Sequence, residues 1–214
     1  PKLNKYATAW KQIADAQKRR AALQGKSPSI NGRLFDLAQT LVQMAAEDAK
    51  PSPERLREFR DSNRESLEQD LYSTAPIYAD LEQAKLAGSL ARLSERFGGD
   101  HPLVRKVLSG KSPQDRAAAL VQGTSLFDVD ARKKLAAAGS KGIQESKDPL
   151  IILATLVDPL SRQTRKEFEE IQELERQAYA QIAEVLFAQQ GTAMYPDATF
   201  TLRLAFGVIR GYQE

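Results

Sequence analysis

The chain has one histidine, His101, and no cysteine. A serine nucleophile activated through histidine and aspartate needs that histidine at its centre. His101 lies in Gly98-Gly99-Asp100-His101-Pro102, beside a carboxylate, but no elbow serine accompanies it. An exposed residue in a helix-start loop is therefore the favoured reading over a catalytic base. One imidazole and no thiolate are too few ligands for a zinc site of the usual kind. The aspartates and glutamates are dispersed and lack EF-hand spacing, and Gly98-Gly99 follows no strand that could open a phosphate loop. The expectation is a chain with no catalytic residue, no metal and no cofactor of its own. One polar residue stands out. Asn63 falls on the same helical face as Leu56, Phe59, Leu67 and Leu71. A buried amide must find partners, and an inter-helix hydrogen bond is the favoured reading over contact with a ligand.

The elements that would position these residues read almost entirely as helix. Leu3, Tyr6, Trp10 and Ile13 recur at helical spacing. Asn31 is a candidate cap for a second helix with Leu34, Leu37, Ala38, Leu41, Val42 and Ala45 on its apolar face. Pro51-Ser52-Pro53 breaks the chain, and Ser52 before Pro53 predicts the start of a third helix running to Leu71. The loop Tyr72-Ser73-Thr74-Ala75-Pro76-Ile77-Tyr78 reads as a tight helix-helix corner rather than an aromatic lip. Leu86, Leu90, Leu93 and Phe97 mark a fourth helix that stops at Gly98-Gly99. Three shorter helices follow, opened near Pro102, by Ser112-Pro113 and by Asp128, the last ending near Gly139. Asp148-Pro149 opens an apolar run to Val157, either a central buried helix or a buried strand, with the Asp-Pro start favouring helix, and Asp158-Pro159 is expected to close it. A long amphipathic helix beyond carries Phe168, Ile171, Ala178, Ile182, Val185 and Leu186 and ends before Gly191. The expected fold class is all-α, a bundle or orthogonal array of about nine helices.

Charge and hydropathy exclude some classes. Lys and Arg exceed Asp and Glu by only 3, and the signs alternate closely, as in Arg55-Leu56-Arg57-Glu58-Phe59-Arg60-Asp61. That pattern suits solvated helix faces better than a phosphate-binding stripe, and no nucleic-acid partner is expected. No apolar run approaches the roughly 18 residues of a membrane span.

From Thr199 the period changes to two. Phe200, Leu202, Leu204 and Phe206 alternate with Thr199, Thr201 and Arg203, the pattern of a half-buried strand. A strand needs a neighbour for its backbone groups, and no other stretch offers one. With a start at Pro1 rather than Met, this predicts a fragment: a helical domain over 1–192 and a strand segment over 193–214 that belongs to a sheet elsewhere.

Arg57-Glu58-Phe59-Arg60-Asp61-Ser62, Ser73-Thr74-Ala75-Pro76-Ile77-Tyr78, Gly110-Lys111-Ser112-Pro113, Lys147-Asp148-Pro149-Leu150 and Tyr195-Pro196-Asp197-Ala198-Thr199-Phe200-Thr201-Leu202-Arg203-Leu204 together resemble the bacterial dipeptidyl-peptidase 7 and 11 family of serine exopeptidases. The resemblance spans essentially the whole chain, and its last motif is the most specific. It implies a chymotrypsin-like double β-barrel with a helical domain inserted between catalytic Asp and catalytic Ser. The insert would cap the cleft so that only a free peptide N-terminus enters and dipeptides are released. The family's His and Asp would lie upstream of this chain and its Ser downstream, so the triad would be outside it and His101 would replace none of its members. The resemblance further implies export to the periplasm or cell surface, a homodimer, a peptide substrate, and the chain's own barrel as intramolecular partner. Asn63 is a candidate acceptor for the substrate's ammonium group, although no family motif maps onto it. The competing expectation is a stand-alone helical adaptor that binds a protein partner.

Overall fold

The computed structural model of the chain describes residues 2–191, 207 and 208. Eight α-helices account for most of them: α1 Lys2–Gln24, α2 Arg33–Glu47, α3 Arg64–Leu71, α4 Ala79–Phe97, α5 Pro102–Leu108, α6 Pro113–Gly123, α7 Val129–Glu145 and α8 Pro149–Gln190. Among the described residues there is no strand. The strand expected over 199–206 lies outside the described residues.

Two compact units are present, one made of residues 1–16 and 173–214, the other of 17–172. In the larger unit α2 is the central element. Leu34, Phe35, Leu37, Ala38, Leu41, Val42, Met44 and Ala45 are all buried, more than one face of the helix. It packs with α7, while α4 packs with α6. Leu86, Leu90 and Leu93 of α4 join the same core as Leu150, Ile151, Leu153, Ala154 and Val157 of α8. The apolar run after Asp148 is thus helical, as its Asp-Pro start implies, but it is buried on one side only, since Ile152 is half exposed and Thr155 is exposed. In the smaller unit Ala9 and Ile13 meet Ala178 and Ile182, with Leu186 packed against them. Alanine at the contact lets two helices approach closely, so few side chains make this second core.

Sequence capping signals hold at three starts. Ser112 Oγ accepts from Asp115 N at 3.1 Å, and Asp128 Oδ1 accepts from Asp130 N at 2.8 Å. Asp148 does more than cap α8. One oxygen accepts from Leu150 N, and the carboxylate also takes Thr124 Oγ1, Ser125 Oγ and Ser125 N. One carboxylate therefore ties the end of α6 to the start of α8.

Three expectations are corrected, and a fourth is extended. Asn31 does not cap α2; its N–H donates to Ser89 Oγ at 3.1 Å. The cap position is Gly32, and the orphan N–H of Leu34 is taken instead by Glu82 Oε2 of α4, at 2.8 Å. The third helix does not start at Ser52. Three 3-10 turns, Ser52–Glu54, Arg57–Phe59 and Asp61–Asn63, precede α3. Arg55 and Arg60 are extended between them, because their guanidiniums and those of neighbours find partners that a regular helix would deny them. Gly139 does interrupt α7 where the sequence ends it, with non-helical φ 55° and ψ −147°; the sequence signal missed only that helix resumes beyond it to Glu145. Asp158-Pro159 does not break α8, which runs through Pro159 for 42 residues. Proline removes one N–H and crowds the preceding turn, but Asp158 is held by Gln43 and Arg162, so tertiary contacts override the local signal. The merger of two expected helices reduces the count from nine to eight.

Candidate functional site

The segment from Lys50 to Asn63 buries only one large apolar side chain, Phe59. Charge holds the rest. Glu47, at the end of α2 and fully buried, accepts from Lys50 Nζ at 2.8 Å, from Leu56 N at 2.9 Å and from Arg162 Nη1 of α8 at 2.5 Å. Burial alone would raise its carboxyl, but these three donors and the Arg162 charge outweigh burial and hold it at about 2. Arg162 also binds Asp158 through Nε at 2.7 Å. Arg55 donates to Lys50 O and pairs with Asp61 at 2.8 Å. Arg64 grips Asp48 through both terminal nitrogens.

Further along α8, Arg165 holds Glu58 with a two-pronged pair, Nη1 to Oε1 and Nη2 to Oε2, and its Nε reaches Glu169. The hydrogen bonds from Arg165 lower the Glu58 carboxyl. At the start of α2, Arg33 holds Asp70 of α3 in the same forked manner, Nη1 to Oδ2 at 2.9 Å and Nη2 to Oδ1 at 3.0 Å. Bidentate pairs of this kind fix both position and orientation.

These clamps frame a surface cavity of about 400 Å³ lined by Arg57, Glu58, Asn63, Ser66, Leu67 and Asp70. Asn63 is half-buried at the N-cap of α3 without capping it; its Nδ2 donates to Arg57 O at 2.6 Å. The expected inter-helix bond is thus a local bond within the charged segment. Among the described residues the Asn63 Oδ1 and its second N–H have no partner, nor do the Ser66 hydroxyl and the Arg57 guanidinium. Sequence spacing brings out Asn63 but misses Glu58, Arg165, Arg33 and Asp70, since Arg165 and Glu58 are 107 residues apart.

His101 has a structural role. Its Nδ1 accepts from Leu103 N at 3.2 Å as the cap of α5, and its ring lies 5.1 Å from that of Phe97. Among the described residues no group of three His, Asp or Glu could hold a metal ion. No described helix is long and apolar enough to cross a membrane.

A buried cation closes the Tyr72–Tyr78 corner. Arg132 of α7 is 1% exposed and donates through Nη1 to Leu71 O at 2.6 Å and Ser73 O at 3.1 Å. Its Nη2 reaches Phe127 O at 3.3 Å. Among the described residues no carboxylate pairs with it directly, and burial pushes its guanidinium down from its ordinary value. The loop is a corner pinned from beneath, and Tyr78 at its far end is exposed.

The sequence motifs point to one family of serine dipeptidyl-peptidases. The model of that family, described as Peptidase S46, matches residues 1–214. The chain belongs to the peptidase S46 family, the family of dipeptidyl-peptidases 7 and 11.

Proposed function

We propose that this chain is the helical, substrate-gating part of a serine dipeptidyl-peptidase that releases N-terminal dipeptides from peptides. The observation that carries the reading is the match of a serine dipeptidyl-peptidase family over residues 1–214 of a chain whose described residues are helical. A rigid helical cap suits an exopeptidase, which must block its cleft beyond the second substrate residue and position the peptide end. The use of His101 as a helix cap supports a triad supplied from outside these residues. In this reading, residues 193–214 carry the chain back to a chymotrypsin-like barrel. The exposed side chains of Trp10, Tyr179 and Phe187 are of the kind that a neighbouring domain covers. Export to the periplasm or cell surface and a homodimeric parent belong to the same reading and rest on family membership.

Asn63 is the substrate contact in this proposal. In the full-length enzyme, Asn63→Ala should raise KM for dipeptide release from peptides with a free N-terminus, with kcat nearly unchanged. An unchanged KM removes Asn63 from the substrate path. The gating role is checked with N-acetylated peptides: their cleavage at the same rate as free ones would rule out a cap that admits only an N-terminus.

A further inference from the structure

We infer that the cavity between the charged segment and α3 takes a carboxylate of a peptide, with Arg57 as the selecting residue. The inference deepens the reading of Asn63 as a substrate contact and rests on it for the peptide nature of the ligand.

The charges of the lining decide the sign. Glu58 and Asp70 would seem to make the cavity acidic and suited to an ammonium group. Both, however, are already neutralised by forked arginine pairs. Each Glu58 oxygen accepts from Arg165, and each Asp70 oxygen accepts from Arg33. An ammonium placed there would have to share these oxygens with a bidentate guanidinium and would face that guanidinium's positive charge. Arg57, by contrast, is exposed, lines the cavity, and has no acidic partner among the described residues. Arg57, Glu58, Asp70 and the two clamping arginines sum to a single positive charge, with Glu169, which also pairs with Arg165, outside the lining.

The uncommitted hydrogen-bonding groups lean the same way. The Arg57 guanidinium, the Ser66 hydroxyl and the second N–H of Asn63 are free to donate, while Asn63 Oδ1 and the lone pairs of the same Ser66 hydroxyl are the neutral acceptors. Asn63 is held beside Arg57 because its other N–H is bonded to the Arg57 carbonyl at 2.6 Å. A planar arginine fork flanked by an amide and a hydroxyl matches the two acceptor oxygens of a carboxylate. The ammonium-acceptor role expected for Asn63 from the sequence gives way, on this charge balance, to a donor role.

The carboxylate can come from an Asp or Glu side chain or from a peptide C-terminus, and four capped tripeptides separate these sources. They are N-acetyl-Ala-Glu-Ala-amide, N-acetyl-Ala-Ala-Ala with a free C-terminal acid, neutral N-acetyl-Ala-Gln-Ala-amide, and Ala-Ala-Ala-amide with a free amine. Each is titrated into the 214-residue chain while the Asn63 side-chain amide and the Ser66 backbone amide are followed by NMR. One or both of the acids should bind about three- to fivefold tighter than the neutral and amine peptides, as expected for an exposed pair. Arg57→Ala should remove that preference, and 0.5 M salt should weaken it. Tighter binding of the amine peptide, a preference that survives Arg57→Ala, or no shift with any peptide would overturn the inference. The two readings fail separately. Amine-selective binding lost in Asn63→Ala leaves Asn63 as a substrate contact and sinks the carboxylate. Acid-selective binding with unchanged KM in Asn63→Ala leaves the carboxylate site and removes it from the substrate path.

Discussion

Glu47→Gln isolates the charge at the centre of the clamp without changing its shape. Glutamine keeps an oxygen for the Leu56 N–H but removes the negative charge that faces Lys50 and Arg162. The carboxyl titrates at about 2 in the folded chain against an ordinary value of 4.5. Because the folded value is depressed, ionisation of Glu47 stabilises the fold fully above pH 4.5, and the gain is lost as pH falls towards 2. Linkage makes that gain about 3 kcal/mol at neutral pH, about 1 kcal/mol at pH 3 and almost nothing at pH 2. The side chain is wholly buried, so solvent screening does not dilute the figure much. Glutamine imitates the protonated acid, so the variant should be about 3 kcal/mol less stable at pH 7, a fall of about 6–12 °C in Tm for a chain of this size. Urea denaturation of both proteins at pH 7, 5, 3 and 2 measures the gap, and amide exchange at Leu56 reports it locally. Other carboxylates titrate over the same range in both proteins, so they cancel in the difference. A gap that stays constant from pH 7 to pH 2, or lies below about 1 kcal/mol at pH 7, would refute the assignment of the clamp to the Glu47 charge.

Two further perturbations follow from single contacts. Gly32 has φ 150°, and a Cβ there would lie 2.9 Å from Glu82 Oε2. Gly32→Ala should cost about 2 kcal/mol or more, from backbone strain and from displacing the acceptor of the Leu34 N–H. Thermal denaturation checks this, and Glu82→Ala in the same background should add less than its own cost, because both changes act on one cap. Arg132→Met should cost about 3 kcal/mol, since it leaves the Leu71 and Ser73 carbonyls buried without donors. Arg132→Lys should recover less than half of that, because an ammonium cannot span carbonyls from two segments as a guanidinium fork does. Urea midpoints of the three proteins decide it, and an Arg132→Lys variant as stable as the wild type would contradict the role of the fork.

Much of the helical framework is legible from local sequence. Periods of three and four with Leu86, Leu90 and Leu93, or Ala178 and Ile182, mark faces that are buried. Ser112, Asp128 and Asp148 cap where they should, because an N-cap is a bond between residues two or three apart. The motifs that carry the family resemblance are likewise local strings, and the family match spans residues 1–214. Absence of thiols and the presence of one histidine are plain from composition.

What failed at the sequence level failed mostly where residues beyond the next helical turn supplied the partner. Asn31 has the right chemistry to cap α2, yet Glu82, 48 residues from Leu34, takes the orphan N–H. Pro159 has the right chemistry to stop a helix, yet α8 passes through it while Gln43 and Arg162 hold Asp158. Leu56, Phe59 and Leu67 read as one helical face, yet arginine bonds to local carbonyls and the Glu47 carboxylate fold that stretch into separate turns. The candidate site shows the same limit. Asn63 could be singled out by its position among apolar residues. The sign of the cavity around it could not, because Glu58 and Asp70 count as acids in the sequence and are neutralised only when tertiary packing brings Arg165 and Arg33 to them. Local spacing determines which backbone groups can pair within a turn or two. Which charges remain uncompensated depends on long-range encounters, and these exist only in the folded chain.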